Sequence, residues 1–107
     1  MVIENLIGLE VLGVNHYYNL NKMVILLENN TNLIFYNCPL VFDAGMIGKK
    51  ILLLQEYKGE MSFVIVFKEM KLDVDDYNYF IIKGEEGSKH YENQIRIAFE
   101  RMEIQKL

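Results

Sequence analysis

Cysteine, proline and histidine are scarce in this sequence. The chain of 107 residues has one cysteine, Cys38, one proline, Pro39, and two histidines, His16 and His90. A single cysteine excludes an intramolecular disulfide and a zinc site built from thiolates. The two histidines lie far apart and belong to no metal-ligand spacing. We therefore expect neither a metal site nor a cofactor.

Serine nucleophiles are equally rare. Ser62 and Ser88 are the two serines. Ser62 lies inside an apolar segment and lacks the Gly-x-Ser-x-Gly arrangement of a nucleophile elbow. Ser88 lies two residues before His90 in a glycine-rich turn, and nothing in that spacing brings the two side chains together as nucleophile and base. Cys38, beside Pro39, is best explained as a small apolar residue at a strand end.

One acidic segment resembles the start of a calcium-binding loop. Residues 73–76 read Asp-Val-Asp-Asp. The position that requires glycine for the sharp turn is Asn78, and Gly84 stands where a glutamate ligand is needed. The segment therefore fails the pattern. Since no other catalytic motif is present, we expect that the protein is not an enzyme.

Long hydrophobic runs and a targeting segment are also missing. The longest apolar runs, 23–27 and 62–67, are too short to cross a bilayer. The first residues, Met1 to Asn5, have no basic region followed by an apolar stretch, as a signal peptide would. We expect a cytoplasmic protein without a membrane partner.

Positive charge is in deficit, with eleven basic against fifteen acidic residues and a net charge of -4. Affinity for nucleic acids comes largely from Lys and Arg on phosphates, so we expect no nucleic-acid partner. A basic protein partner is compatible with this charge. Because 51% of the residues are hydrophobic, residues 1–107 can form a single folded domain.

The pattern of apolar segments predicts an all-β fold. The segments are short, rich in Val, Ile, Phe and Tyr, and separated by Asn, Gly, Asp and Lys. We predict strands at about 9–18, 22–28, 32–37, 49–57, 61–68, 71–75 and 77–83. Asparagines in 28–32 indicate a hairpin turn, Lys58-Gly59 indicates another, and 38–48 reads as a linker. The expected architecture is a meander of six to eight antiparallel strands, forming a small sandwich or a curved sheet that closes toward a barrel.

The C-terminal segment admits two predictions. Alternate residues over 95–99 are apolar, which favours a strand pairing back onto 77–83 across a turn at 84–88. A helix beginning at Ser88 would also align apolar residues on one face. That helix would leave Ile97 outside its apolar stripe, so the strand is the preferred prediction.

A weak internal repeat is visible at a spacing of forty residues. The sequence over 6–12 resembles that over 46–52. One interpretation is a pair of weakly similar three-strand units, at about 6–37 and 46–76. The other is that a β-meander simply repeats its own pattern.

Several predicted strands are apolar on both faces. Over 51–54, 61–67 and 77–82, apolar residues occupy consecutive positions instead of alternating with polar ones. Such strands need a second layer, which a second sheet, a second subunit in a homodimer or a binding partner would supply.

The segment 73–86 combines negative charge with tyrosine. Its candidate partner-binding residues are Asp73, Asp75, Asp76, Tyr77, Tyr79, Glu85 and Glu86, and Lys83 is its one basic residue. Tyrosines are efficient anchors in interfaces, and carboxylates pair with Arg and Lys of a basic protein partner. The alternative is an edge strand that its charges keep from aggregating. His16, Tyr17 and Tyr18 would extend the surface if the first strand lies nearby.

This small, acidic chain, rich in Asn, Ile and Lys and without catalytic motifs, resembles the immunity proteins of bacterial polymorphic and contact-dependent toxins. The resemblance implies a protein-binding inhibitor that occludes the active site of a toxin, such as a basic nuclease. The acidic segment 73–86 would then pair with substrate-binding Arg and Lys. The alternatives are a small-ligand-binding β-barrel and a structural subunit of a homo-oligomer.

Overall fold

The computed structural model describes residues 3–56, 61–85 and 92–107. These residues form eight strands and one helix: β1 Val11–Tyr17, β2 Lys22–Leu27, β3 Thr31–Tyr36, β4 Leu40–Ala44, β5 Leu53–Glu56, α1 Met61–Glu69, β6 Asn78–Lys83, β7 Gln94–Phe99 and β8 Arg101–Lys106. The predicted fold of antiparallel strands is confirmed. Within the described residues, no helix has the length and apolar character needed to cross a membrane.

The strands form two four-stranded antiparallel sheets. The first sheet has the order β1-β2-β3-β8, and the second has the order β4-β7-β6-β5. Each sheet therefore receives one strand from the other half of the chain: β4 follows β3 but pairs with β7, and β8 follows β7 but pairs with β3. The two sheets pack face to face through a shared core and do not close into a barrel.

Three phenylalanines form the centre of the core. Phe35 of β3 makes edge-to-face contacts with Phe80 of β6 and Phe99 of β7, with ring centroids 6.4 and 5.0 Å away. Phe80 and Phe99 also contact each other, at 5.5 Å. Buried aliphatic side chains from both sheets surround this cluster. The two sheets thus cover each other's inner faces, and α1 covers part of the outer face of the second sheet.

The β2–β3 hairpin forms at the predicted turn over 28–32. Leu27 pairs with Thr31 in the ladder. Asn29 and Asn30 adopt positive φ angles of 61° and 53°. Asparagine tolerates this left-handed region better than most residues, which explains why the sequence signal was reliable here.

The strand predicted at 61–68 is wrong, because α1 occupies this segment. A short continuous apolar run does not distinguish a strand from a buried helix. Helical geometry places the buried Phe67 and the half-buried Val64 on one side, while Ile65 is exposed. Phe67 packs against Tyr79 and Ala98 of the second sheet, so a contact distant in sequence overrides the strand propensity of Val and Ile.

Three other predicted boundaries are corrected. The strand at 71–75 is wrong: Asp73 caps a short 3-10 helix over Val74–Asp76 by accepting a hydrogen bond from the amide of Asp75. The linker at 38–48 contains β4, whose ladder partner β7 lies about fifty residues away in the chain. The strand at 49–57 is reduced to β5. Its last residue, and the turn at Lys58-Gly59, lie outside the described residues.

The C-terminal segment is β-structure, so the helix alternative is wrong. β7 pairs with β6 in the predicted antiparallel arrangement, from Asn78 opposite Phe99 to Lys83 opposite Gln94. β7 ends at Phe99, and after Glu100 the chain continues as β8. Residues 86–88 of the predicted connecting turn lie outside the described residues.

The two similar segments, 6–12 and 46–52, lie side by side. An antiparallel bridge joins Glu10 to Lys50. Positions forty residues apart make matching hydrogen bonds: the amide of Gly8 donates to Ile51 O and that of Gly48 to Val11 O, both at 2.7 Å. The remaining pairs of hydrogen bonds, Val11 N to Lys49 O and Ile51 N to Leu9 O, match in the same way. In the two sheets, β1–β4 correspond in order to β5–β8. The second set of strands extends beyond residue 76, because 61–76 contains α1 and a 3-10 helix and no strand.

Candidate functional site

A surface groove of about 620 Å³ lies between one end of the first sheet and the segment that follows α1. Its lining is aromatic, polar and apolar: His16, Tyr17, Tyr18, Asn21, Lys22, Met23, Asn37, Cys38, Pro39, Leu40, Val41, Met70, Leu72 and Tyr77. We call this feature the groove. Its volume lies in the usual range of binding sites in proteins.

Two asparagines join the loops on one wall of the groove. Asn21 and Asn37 adopt positive φ angles of 50° and 54°. The side-chain amide of Asn21 donates a hydrogen bond to the side-chain oxygen of Asn37. The amide of Cys38 donates to the carbonyl of Asn21, at 3.3 Å. The β1–β2 and β3–β4 connections therefore hold each other in place.

The β1–β2 connection presents large apolar side chains to solvent. Tyr18 is 85% exposed and Leu20 is 68% exposed, and Tyr17 precedes them at the end of β1. The ring of His16 contacts that of Tyr18, with centroids 5.5 Å apart. We call residues 17–20 the aromatic turn. Exposed aromatic side chains on a short, tied connection are characteristic of interaction sites.

Negative charge lies beside the groove, between two of the residues that line it. Leu72 and Tyr77 line the groove, and residues 73–76, which we call the acidic turn, lie between them in the chain. Asp73, Asp75 and Asp76 are all exposed. Tyr77 is held in place by an edge-to-face contact with Phe67 of α1, at 5.2 Å between ring centroids. The acidic turn is therefore anchored at the rim of the groove.

Tyr79 is an interior residue that supports the acidic turn, and it is not a surface anchor. It is buried, and its hydroxyl donates a hydrogen bond to the carbonyl of Val74, at 2.7 Å. Burial raises the pKa of Tyr79, and the negative charges of Asp75 and Asp73 raise it further. The side chain that we predicted to contact a partner instead supports the acidic turn.

The predicted surface over 73–86 divides into two parts. Glu85 follows β6, whereas the acidic turn precedes it, so the six residues of β6 separate them by about 20 Å. Glu86 lies outside the described residues. The groove instead brings Tyr77 together with His16, Tyr17 and Tyr18, the extension that depended on the position of the first strand.

Sequence reasoning missed a row of alternating aromatic and basic side chains across the first sheet. The ladder places Tyr17, Lys22, Tyr36 and Arg101 side by side on four adjacent strands. The Lys22 ammonium lies 5.8 Å from the Tyr17 ring centroid and 5.7 Å from that of Tyr36, and the Arg101 guanidinium carbon lies 3.9 Å from the latter. No local sequence pattern reveals this row, because it depends on strand register.

Cys38, which lines the groove, is not a reactive thiol. Burial raises the pKa of Cys38 from 9.0 to about 11, although a hydrogen bond with the backbone of Met23 acts in the opposite direction. Because the thiolate is the nucleophile, the reactive fraction at pH 8 falls about 100-fold below that of an ordinary cysteine.

We therefore expect iodoacetamide to alkylate folded protein at pH 8 about 100-fold more slowly than protein unfolded in urea. The rate in the folded state should rise with pH through about pH 11, where half of the thiol is ionised, and level off above it. Since folding favours the neutral thiol, its contribution to stability is present below pH 9 and is lost between pH 9 and about 11. Equal rates in the folded and unfolded states would contradict the burial of this thiol.

Among the described residues, no group of three or more His, Cys, Asp or Glu side chains is arranged to hold a metal ion. The chemical character of the groove comes from the aromatic, apolar and charged side chains in and around it.

No protein-family model matches the chain, and comparisons with curated proteins and with solved structures give no significant match.

Proposed function

We propose that this protein is a protein-binding inhibitor of the immunity-protein kind, and that the groove and its rim contact a basic toxin domain. One observation carries the proposal: Tyr17 and Tyr18 of the aromatic turn line the groove together with Leu72 and Tyr77, the two residues that flank the acidic turn. The two kinds of group that anchor and orient a basic partner are thereby combined on one surface.

The aromatic turn supplies the anchoring part. Tyr18 and Leu20 are largely exposed in the free protein, so a partner would bury apolar area that is now in water. Tyrosine has few rotatable bonds, which keeps the entropy cost of ordering it low. The hydrogen bond between Asn21 and Asn37 limits movement of the connection, so the anchor is preorganised.

The acidic turn supplies the orienting part. Three carboxylates lie within four residues and point their charge toward solvent at the rim. Burial raises the pKa of Tyr79, and the charges of Asp75 and Asp73 add to that rise. Surface charge of this kind accelerates the encounter with a basic partner, and salt weakens the effect.

The first test is capture of a partner by the tagged protein from cells of its source, followed by a binding titration with the purified partner. Triple charge reversal, Asp73→Lys with Asp75→Lys and Asp76→Lys, should weaken that binding on the order of 10–100-fold. Inhibition of the partner's activity, for example nuclease activity, should weaken in parallel.

The matched control reverses three exposed carboxylates away from the groove: Asp43→Lys with Glu56→Lys and Glu85→Lys. This variant has the same change in net charge, so it should keep the partner. Tyr18→Ala should weaken binding while leaving the circular dichroism spectrum and the melting temperature unchanged. Equal losses in the test and control variants would show that net charge, and not the acidic turn, governs binding.

A second candidate function is binding of a small ligand, which the groove volume of about 620 Å³ favours. The sheets do not close and their inner faces are filled by the core, so a ligand would occupy the groove and not a barrel interior. Native mass spectrometry separates the candidates, because this function predicts a small molecule that remains bound after purification.

A further inference from the structure

The junction between the sheets, formed by residues 8–11 and 48–51, has an internal two-fold relationship. The Glu10–Lys50 bridge lies at its centre. The hydrogen bonds that join the two segments come in matching pairs, with residue numbers shifted by forty. A half-turn about an axis through the midpoint of Glu10 and Lys50 therefore superposes one segment on the other.

The outward face of the junction is apolar at equivalent positions. Leu12 and Leu52 are 55% and 56% exposed, and Ile7 and Ile47 are 44% and 56% exposed. Val11 and Ile51 are buried in the core, whereas their neighbours Leu12, Leu52 and Lys50 are exposed and Glu10 is partly exposed. None of these four exposed apolar residues lines the groove, so binding at the groove does not explain their exposure.

Each exposed leucine lies beside a glycine. The amide of Gly48 donates to the carbonyl of Val11, next to Leu12, and the amide of Gly8 donates to the carbonyl of Ile51, next to Leu52. A Cβ atom built on either glycine would meet nothing within 4 Å. The outer face therefore has two projections, the leucines, and two open positions, the glycines, arranged diagonally about its centre.

We propose that this face binds a second copy of the chain in a two-fold dimer. A two-fold axis parallel to the paired segments brings Leu12 and Leu52 of one copy to the segments that carry Gly48 and Gly8, respectively, in the other copy. The same rotation places Glu10 against Lys50 of the other copy, twice. Shape and charge are thus complementary in a single arrangement.

The charges favour a second copy over a different partner. One acidic and one basic residue, Glu10 and Lys50, face each other at the centre of the junction, so each copy presents the charge that the other needs. Neither Glu10 nor Lys50 forms an ion pair within the described residues. Each is therefore available to the opposite charge of the other copy.

The dimer goes beyond the proposed function and leaves the groove open. The junction lies at the start of β1 and the aromatic turn at its end, so the seven residues of β1 separate them by about 20 Å. Because the patch is small compared with the interfaces of obligate dimers, we expect a reversible dimer with a dissociation constant on the order of micromolar.

Sedimentation velocity of the full chain, over a series from about 1 µM to about 1 mM, tests the dimer. The unmodified protein should shift from monomer to dimer. Glu10→Lys alone and Lys50→Glu alone should each weaken association at least about 10-fold, because both ionic contacts then join like charges. An equimolar mixture of the two variants should dimerise again, since every contact in the mixed dimer joins opposite charges.

The mixture isolates contacts between copies, because it repairs nothing within either chain. Melting temperatures verify that both variants fold, and Tyr18→Ala, at the groove, should dimerise like the unmodified protein. A protein that stays monomeric across the series would overturn the proposal. A mixture that associates no better than either variant alone would overturn it as well.

Discussion

We expect Phe35→Ala to lower the free energy of unfolding by about 3–5 kcal/mol. Phe35 is completely buried and contacts Phe80 and Phe99 of the opposite sheet. Alanine would remove these edge-to-face contacts and leave a cavity where the two sheets meet, which a close-packed interior fills poorly. Since small domains are stable by about 5–15 kcal/mol, this is a large part of the total.

Urea denaturation followed by circular dichroism measures this loss. The matched control is Phe42→Ala, because Phe42 is an exposed phenylalanine on β4, and its loss should cost less than about 1 kcal/mol. A similar change in the two variants would mean that Phe35 does not join the sheets in the way that its contacts indicate.

We expect Phe67→Ala to cost a similar amount, about 3–5 kcal/mol, but to act first on one part of the molecule. Phe67 is a fully buried residue of α1, and it packs on Tyr77 and Tyr79. Without it, α1 and the acidic turn lose the contacts that Phe67 makes with Tyr77, Tyr79 and Ala98. Amide hydrogen exchange should therefore accelerate over 64–77 before it accelerates in the sheets.

Ile65→Ala is the matched control on the same helix. Ile65 is exposed, and alanine favours helices, so exchange and stability should remain nearly unchanged. If the two variants accelerated exchange to the same extent, Phe67 would not be the docking residue. If Phe67→Ala instead opened all strands at once, α1 and the sheets would form one cooperative unit.

The β2–β3 hairpin and the β6–β7 pair were predictable because their signals are local. Asn29 and Asn30 suit the left-handed turn, and the alternation of polar and apolar residues over 95–99 matches a strand whose inner face is buried. In both cases the residues that carry the signal are also those that form the contact. Neighbouring residues suffice when the partner strand is next in the chain.

The α1 segment was not predictable from its own residues. Its run of Val, Ile and Phe suits a strand, and its helical form depends on Phe67 meeting Ala98 and Tyr79 across the outer face of the second sheet. β4 was missed for the same reason, because its ladder partner is β7. Local propensity is a weak predictor where a distant contact decides the conformation.

The candidate site shows a similar division. The carboxylates of the acidic turn and Tyr77 were recognisable as a charged, aromatic segment. Their placement beside His16, Tyr17 and Tyr18 depends on how the β1–β2 connection meets the segment after α1. Tyr79 was assigned to the surface because alternation along a strand does not show which face a helix will cover.

The sequence by itself determined the all-β class, the main hairpins, the negative charge and the similarity of 6–12 to 46–52. These follow from composition and from interactions between near neighbours. The tertiary structure alone decided the exchange of β4 and β8 between the sheets, the conformation of α1, the groove and the two-fold junction. Each of these depends on contacts between residues distant in the chain, whose register and packing no local pattern encodes.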